Sequence, residues 1–191
     1  MSFYIALEGI DGSGKTTQCN SLATHFKELG FSVFQGREPW EFDSGNITSF
    51  KSNYPARSIK DRLLLMDKLE SLMLSFDFLI MDRCFMSTMV YHSTDIYTMQ
   101  HILLDNSNCI FPDLILLLDI DPIDSVERDQ KASFIARMRT LRNKYYKAAG
   151  ILGPLVAIVD TRNLNEEQAF DETLTTVHEH ITKQYLRIKD T

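Results

Sequence analysis

The sequence contains little that would tie it to a membrane, an oxidising compartment or a nucleic acid. No stretch of its 191 residues approaches the roughly 20 apolar residues of a membrane span. The opening Met-Ser-Phe-Tyr-Ile-Ala-Leu-Glu lacks the basic flank and the apolar run of a secretory signal, so a soluble, unprocessed chain is expected. Cys19, Cys84 and Cys109 are odd in number and form no C-x-x-C pair, which suits buried thiols in a reducing cytoplasm. His25, His92, His101, His178 and His180 share no zinc-ligand spacing with cysteines or acids. With 20 Lys and Arg against 26 Asp and Glu, the net charge of -6 gives no broad attraction for nucleic acid or anionic lipid. Repeats, linkers and low-complexity tracts are absent as well.

What is present is the makings of one core. A chain of this length, 44% hydrophobic and 24% charged, supports a single domain over residues 1–191. Phe3 to Glu8 is an apolar run ending at glycine, which predicts a buried strand. Cys19, Leu22, Ala23, Phe26 and Leu29 then recur at helical spacing up to Gly30. Further strands are expected at Phe31 to Phe34, Asp77 to Met81, Leu114 to Leu118 and Leu155 to Val159. A loop is expected from Gly36 to Tyr54, and helices near 56–75, 85–92, 95–104, 133–148 and 170–181, with a short one from Pro122. Near-continuous apolar strands alternating with helices predict an α/β fold: a doubly wound sheet of about five parallel strands with helices on both faces. Ligands bind such sheets at the carboxyl ends of the strands.

Between the first strand and helix stands Gly9-Ile10-Asp11-Gly12-Ser13-Gly14-Lys15-Thr16-Thr17. Gly9-x-x-x-x-Gly14-Lys15-Thr16 fits a phosphate-binding P-loop, and the doubly wound sheet is then of the P-loop NTPase type. Its glycines let backbone amides approach phosphate oxygens, and the helix amino terminus adds partial positive charge. Lys15 would reach the β and γ phosphates of ATP, Thr16 would offer its hydroxyl to Mg2+, and Thr17 would bond a further phosphate.

The third strand closes on Asp82-Arg83, at the sheet edge that also carries the P-loop. Asp82 is a candidate to hold Mg2+ through water, and Arg83 to clamp a phosphate bidentately. The guanine-specific Asn-Lys-x-Asp of GTPases is absent: Asn143-Lys144 is followed by Tyr145-Tyr146.

Taken together, these residues resemble the thymidylate kinase family. Glu8 to Gln18 is similar to its Glu-Gly-x-Asp-Gly-x-Gly-Lys-Thr-Thr-Gln, and Arg37-Glu38-Pro39 to its Arg-Glu-Pro. Asp82-Arg83 resembles its Asp-Arg-Tyr, and Pro112-Asp113-Leu114 through Asp119 and Pro122 its Pro-Asp-Leu, strand, Asp-x-x-Pro segment. The resemblance implies a nucleoside monophosphate kinase using ATP and Mg2+, with a deoxynucleoside monophosphate as acceptor, dTMP first. It places Asp11 and Glu38 near the sugar 3′-hydroxyl and the metal. Arg83, with Arg37 or Arg57, would hold the acceptor phosphate, and Tyr91 would exclude a 2′-hydroxyl. It also implies a common dimer, for which the helices around Leu63 to Met73 and Phe85 to Tyr91 are candidates unless buried within one subunit.

Some family members carry an arginine inside the P-loop and others supply it from a lid. Ser13 assigns that task here to a short lid near 127–133, with Arg128 and Lys131 as candidates. Arg137, Arg139 and Arg142 are either a second cation set or a solvated helix face. Departures fall where the base is contacted: Leu64 and Lys68 stand where the family has Phe and Arg, with Thr88 a further base contact. Cys84 replaces the tyrosine, and Trp40 and Glu41 replace Gly-Gly. Another or modified deoxynucleotide, or a nucleotide-binding regulator without transfer activity, remain the alternatives.

Overall fold

A computed structural model of the protein describes residues 2–38, 66, 69–128 and 134–189, with side chains through 183. Strands β1 (Phe3–Glu8), β2 (Val33–Arg37), β3 (Phe78–Asp82), β4 (Leu114–Asp119) and β5 (Val156–Asp160) form one sheet in the order β2-β3-β1-β4-β5. Every described pairing is parallel. The helices are α1 (Lys15–Glu28), α2 (helical residues 69–75), α3 (Phe85–His92), α4 (Ile96–Asp105), α5 (Pro122–Arg128), α6 (Ile135–Leu152) and α7 (Glu166–Lys189).

Side chains alternate across a strand with period two, and the central strands obey this on both faces. Tyr4 and Ala6, Leu79 and Met81, and Ile115 and Leu117 point into a core shared with α3, α4 and α6. Ile5 and Leu7, Phe78 and Ile80, and Leu114, Leu116 and Leu118 point into a second core under α1 and α7. Both faces being covered is why β3 and β4 read as unbroken apolar runs. Phe85, Met86, Met89 and Val90 are also consumed within this subunit. Among the described residues no helix is long and apolar enough to cross a membrane.

The same parity aims the carboxylates that end the strands. Glu8 continues the series of Tyr4 and Ala6 and faces α3 and α6. Asp82 continues Phe78 and Ile80 and faces α1. Asp119 continues Ile115 and Leu117 and faces α6. Register brings Leu7, Asp82 and Arg37 into one row across three strands.

The boundaries of β2 and α6 differ from expectation. β2 runs to Arg37 rather than stopping at Phe34, because it lies at the sheet edge and needs a buried face only in part. Gly36 fits within it where a Cβ would stand 2.7 Å from the Met81 sulfur. Helix α6 passes Gly150 and ends at Gly153, whose φ of 58° and following Pro154 terminate it. Cys19 and Cys84 are buried as expected, whereas Cys109 is only half-buried.

At the amino ends of the strands, far from the P-loop, Phe78 stacks on Phe26 with centroids 4.0 Å apart and meets Phe31 edge-on at 5.2 Å. Phe78→Leu is expected to cost about 1–2 kcal/mol and to lower Tm by roughly 3–6 °C, as measured by thermal denaturation. Ligand affinities at the opposite end of the sheet should stay at the wild-type level.

Candidate active site

The loop between β1 and α1 is built for an anion. Gly9, Gly12 and Gly14 have φ of 148°, 74° and 87°, in the region that a Cβ disfavours. Gly14 is the N-cap of α1 and supplies no side-chain cap, and the first turn carries no acid. The leading amides of the helix therefore face the cleft with the dipole's positive end behind them. A Cβ on Gly14 would meet no atom within 4 Å, so its backbone borders open space.

Lys15 curls over this loop and is 6% exposed. Its ammonium donates to the carbonyls of Gly9 at 3.0 Å and Ile10 at 2.8 Å, and to Ser13 Oγ at 3.3 Å. Burial, with a smaller push from Arg83, lowers its pKa from 10.5 to about 8, against the opposing pull of Asp82, Glu8 and Asp11.

On the neighbouring strand, Asp82 Oδ2 accepts the Thr16 hydroxyl at 2.5 Å and lies 3.7 Å from Arg37 Nε. Its other oxygen is buried and has no hydrogen-bond partner among the described residues. Arg83 follows with φ 82°, a left-handed backbone in a non-glycine residue that costs about 1–3 kcal/mol. Its guanidinium donates to Asp11 Oδ1 at 2.8 Å and to Ser87 Oγ at 3.2 Å, and lies 5.6 Å from the centre of the Tyr91 ring. The Tyr91 hydroxyl donates to the same Asp11 oxygen at 3.4 Å.

These groups share a cleft of about 530 Å³ lined by the P-loop from Asp11 to Thr17, Arg37, Asp82, Arg83 and Arg128. Arg128 reaches it from the end of α5, an exposed side chain beside the P-loop. Ser125 ties that helix to the P-loop by donating to the Asp11 carbonyl at 2.6 Å. The cleft's other wall is the turn after β5, with Thr161, Leu164 and Asn165.

A sequence model of the thymidylate kinase family matches residues 7–49 and 58–172. The chain belongs to the thymidylate kinase family. It is 36% identical to a probable thymidylate kinase of Methanothermobacter thermautotrophicus over 65% of this chain and 68% of the relative. Identity to the thymidylate kinase of Leptospira interrogans is 30%, covering 90% and 91% of the two chains. In fold, it superposes on the Candida albicans thymidylate kinase with a TM-score of 0.76 at 17% identity, covering 93% of this chain and 92% of the other.

The family's motifs thus converge on one sheet edge: Asp11, Lys15, Thr16, Asp82 and Arg83 are together, and Arg37 and Arg128 border the same space. Glu38 is placed beside them, its amide donating to the Asp82 carbonyl at 2.9 Å. Thr88 is buried on α3, and the walls of this cleft do not include it. Arg57, Leu64, Lys68 and Lys131 lie outside the described residues.

Arg142 is neither a free cation nor simply solvated. It grips Asp119 through two hydrogen bonds of 2.6 Å, with Tyr146 donating to the same carboxylate at 2.8 Å. Strand parity turns Asp119 toward α6, and a buried carboxylate there requires such partners. Arg137 and Arg139 are exposed on that helix.

Sequence reasoning missed Ser125 and the turn after β5. The latter was findable, since it follows a strand whose carboxyl end faces the P-loop. Ser125 carries no sequence signal, because a serine on a short helix has no distinguishing spacing.

Gly12 and Gly14 separate conformation from contact. Both need a left-handed backbone, but a Cβ on Gly12 would lie 2.6 Å from the Ser125 carbonyl oxygen while one on Gly14 meets nothing. Gly14→Ala should cost about 1–2 kcal/mol, and Gly12→Ala at least about 1 kcal/mol more through displacement of α5. Chemical denaturation of the two variants measures the difference.

Proposed function

We propose that the protein transfers the γ-phosphoryl group of ATP to the 5′-phosphate of a deoxynucleoside monophosphate, dTMP before others, releasing ADP and dTDP. The observation that carries this reading is the meeting of two cation sets in one cleft. One is the uncapped start of α1 with Lys15, and the other is Arg83 with Arg37. A single bound nucleotide would use the first; a second phosphate explains the other. The names of the relatives support dTMP as the acceptor.

In this reading the amides of residues 12–17 and Lys15 hold the donor's phosphates, and Arg83 with Arg37 holds the acceptor's. An acceptor oxygen attacks the γ phosphorus as the bond to the β-phosphate oxygen breaks. Arg128 stands where negative charge on the transferring group needs compensation. Asp11 and Tyr91, joined to one another, stand beside Arg83 where the acceptor's sugar would follow its phosphate.

Thr16 and Asp82 fit Mg2+. Both offer hard oxygen donors, and the unpartnered buried Asp82 oxygen can accept from a metal-bound water. Bound there with ATP, the ion would neutralise developing charge between the β and γ phosphates.

A panel of nucleoside monophosphates with coupled ADP detection tests the assignment. Turnover is expected with dTMP, with kcat reduced roughly 10²–10³-fold in Lys15→Ala and in Arg128→Ala. Turnover on dGMP or dCMP but not dTMP would reassign the acceptor, and tight ATP binding without turnover on any monophosphate would reassign the protein as a regulator.

The Lys15 ammonium adds a pH dependence. Phosphate binds its protonated form, and the free protein loses that proton near pH 8. The Kd for ATP should therefore rise with pH, roughly tenfold between pH 7 and pH 9. Calorimetric titrations at both values check this, and Lys15→Arg should flatten the dependence.

A further inference from the structure

We propose that Glu8 is a positioning residue for the acceptor phosphate: through Ser87 and the amino terminus of α3 it holds the Arg83 guanidinium in the orientation that meets the incoming monophosphate. The inference rests on the reading of Arg83 as the acceptor-phosphate cation.

Glu8 closes β1 and is 0% exposed. An isolated carboxylate in that position would be costly, but both of its oxygens are satisfied twice. Oε1 accepts the amides of Cys84 at 2.8 Å and Ser87 at 3.0 Å. Oε2 accepts the hydroxyls of Ser87 at 2.7 Å and Tyr145 at 3.0 Å.

The Oε1 pair is a helix cap supplied from a distant strand. Cys84, the N-cap of α3, offers no side-chain cap of its own, and an anion at that end complements the helix dipole. The cap also grips Arg83. Its amide donates to the Leu7 carbonyl at 2.9 Å while the next amide, Cys84, donates to Glu8. Two successive residues of β1 thereby hold two successive amides, which fixes the left-handed turn at Arg83.

A cap would need nothing from Oε2. That oxygen instead takes the Ser87 proton and leaves the Ser87 lone pairs to accept Arg83 Nη1 at 3.2 Å. With Nη2 on Asp11, the guanidinium is fixed at both ends. Glutamine at position 8 keeps an oxygen for the two amides. Its NH2 then faces Ser87, which turns its proton away, and the anion opposite Arg83 is gone.

The test is steady-state kinetics, varying dTMP and ATP separately, for Glu8→Gln, Ser87→Ala, Arg83→Ala and the Glu8→Gln/Arg83→Ala double variant. Glu8→Gln should raise KM for dTMP roughly tenfold and leave KM for ATP within about twofold. Ser87→Ala should shift the same parameter by a smaller factor. In the Arg83→Ala background, Glu8→Gln should add less than about twofold, because its effect passes through the missing guanidinium. If Glu8→Gln does not fold, Ser87→Ala and its double variant with Arg83→Ala decide by the same criteria.

A purely structural Glu8 would lower Tm and the active fraction with KM for dTMP as in wild type. That result, beside a raised KM in Arg83→Ala, overturns the positioning role and leaves the acceptor site standing. An unchanged KM for dTMP in Arg83→Ala itself overturns the acceptor reading and this inference with it.

Discussion

A buried carboxylate must be met by donors, and this chain buries one at the end of each of its three central strands: Glu8, Asp82 and Asp119, all under 5% exposed. Strand parity decides which way each one points, and what it meets decides what the sheet edge becomes. Glu8 starts α3 and sets the surroundings of Arg83. Asp82 receives the Thr16 hydroxyl from the first turn of α1. Asp119 takes Arg142 and Tyr146 from α6 and fastens the turn after β5 through its carbonyl, which accepts the Thr161 amide and hydroxyl at 2.9 Å each. Removing one partner of such a group leaves an uncompensated charge, which typically costs about 3–5 kcal/mol. The helices are thus pinned to the strand ends at the points where the chemistry is placed.

The cations depend on that arrangement. Lys15 is held by loop carbonyls rather than by a carboxylate, so an arriving phosphate can draw it away without separating an ion pair. Arg83, by contrast, is fixed on both sides, which agrees with its proposed role of presenting a planar fork to an acceptor phosphate. Arg128 comes from α5, whose distance from the P-loop is set by Ser125 and by the missing Cβ of Gly12. The P-loop, Arg83 and α5 consequently share short, stiff connections.

Much of this was legible in the residues. Gly9 to Thr17 announced the P-loop between β1 and α1, Asp82-Arg83 the neighbouring strand end, and β1 was bounded correctly because both its faces are apolar. The edge strand β2 was misplaced since Gln35, Gly36 and Arg37 carry no apolar pattern. The helix expected to end near residue 148 runs on to Leu152, since nothing near Gly150 requires a stop. Arg142 was visible as a cation but its partner was not, because pairing with Asp119 depends on parity and helix packing together. Glu8 was read only as the end of an apolar strand and the start of the loop motif; its contacts with Ser87 and Tyr145 emerge only when β1, α3 and α6 are packed.

In the proposed reading one cleft holds a phosphoryl donor and a monophosphate acceptor for direct transfer. ATP labelled at the γ phosphorus, incubated with dTMP, Mg2+ and the protein, tests it by the fate of the label. Label is expected in the terminal phosphate of dTDP, one for each ADP formed. Label released as free phosphate with dTMP unchanged would contradict it.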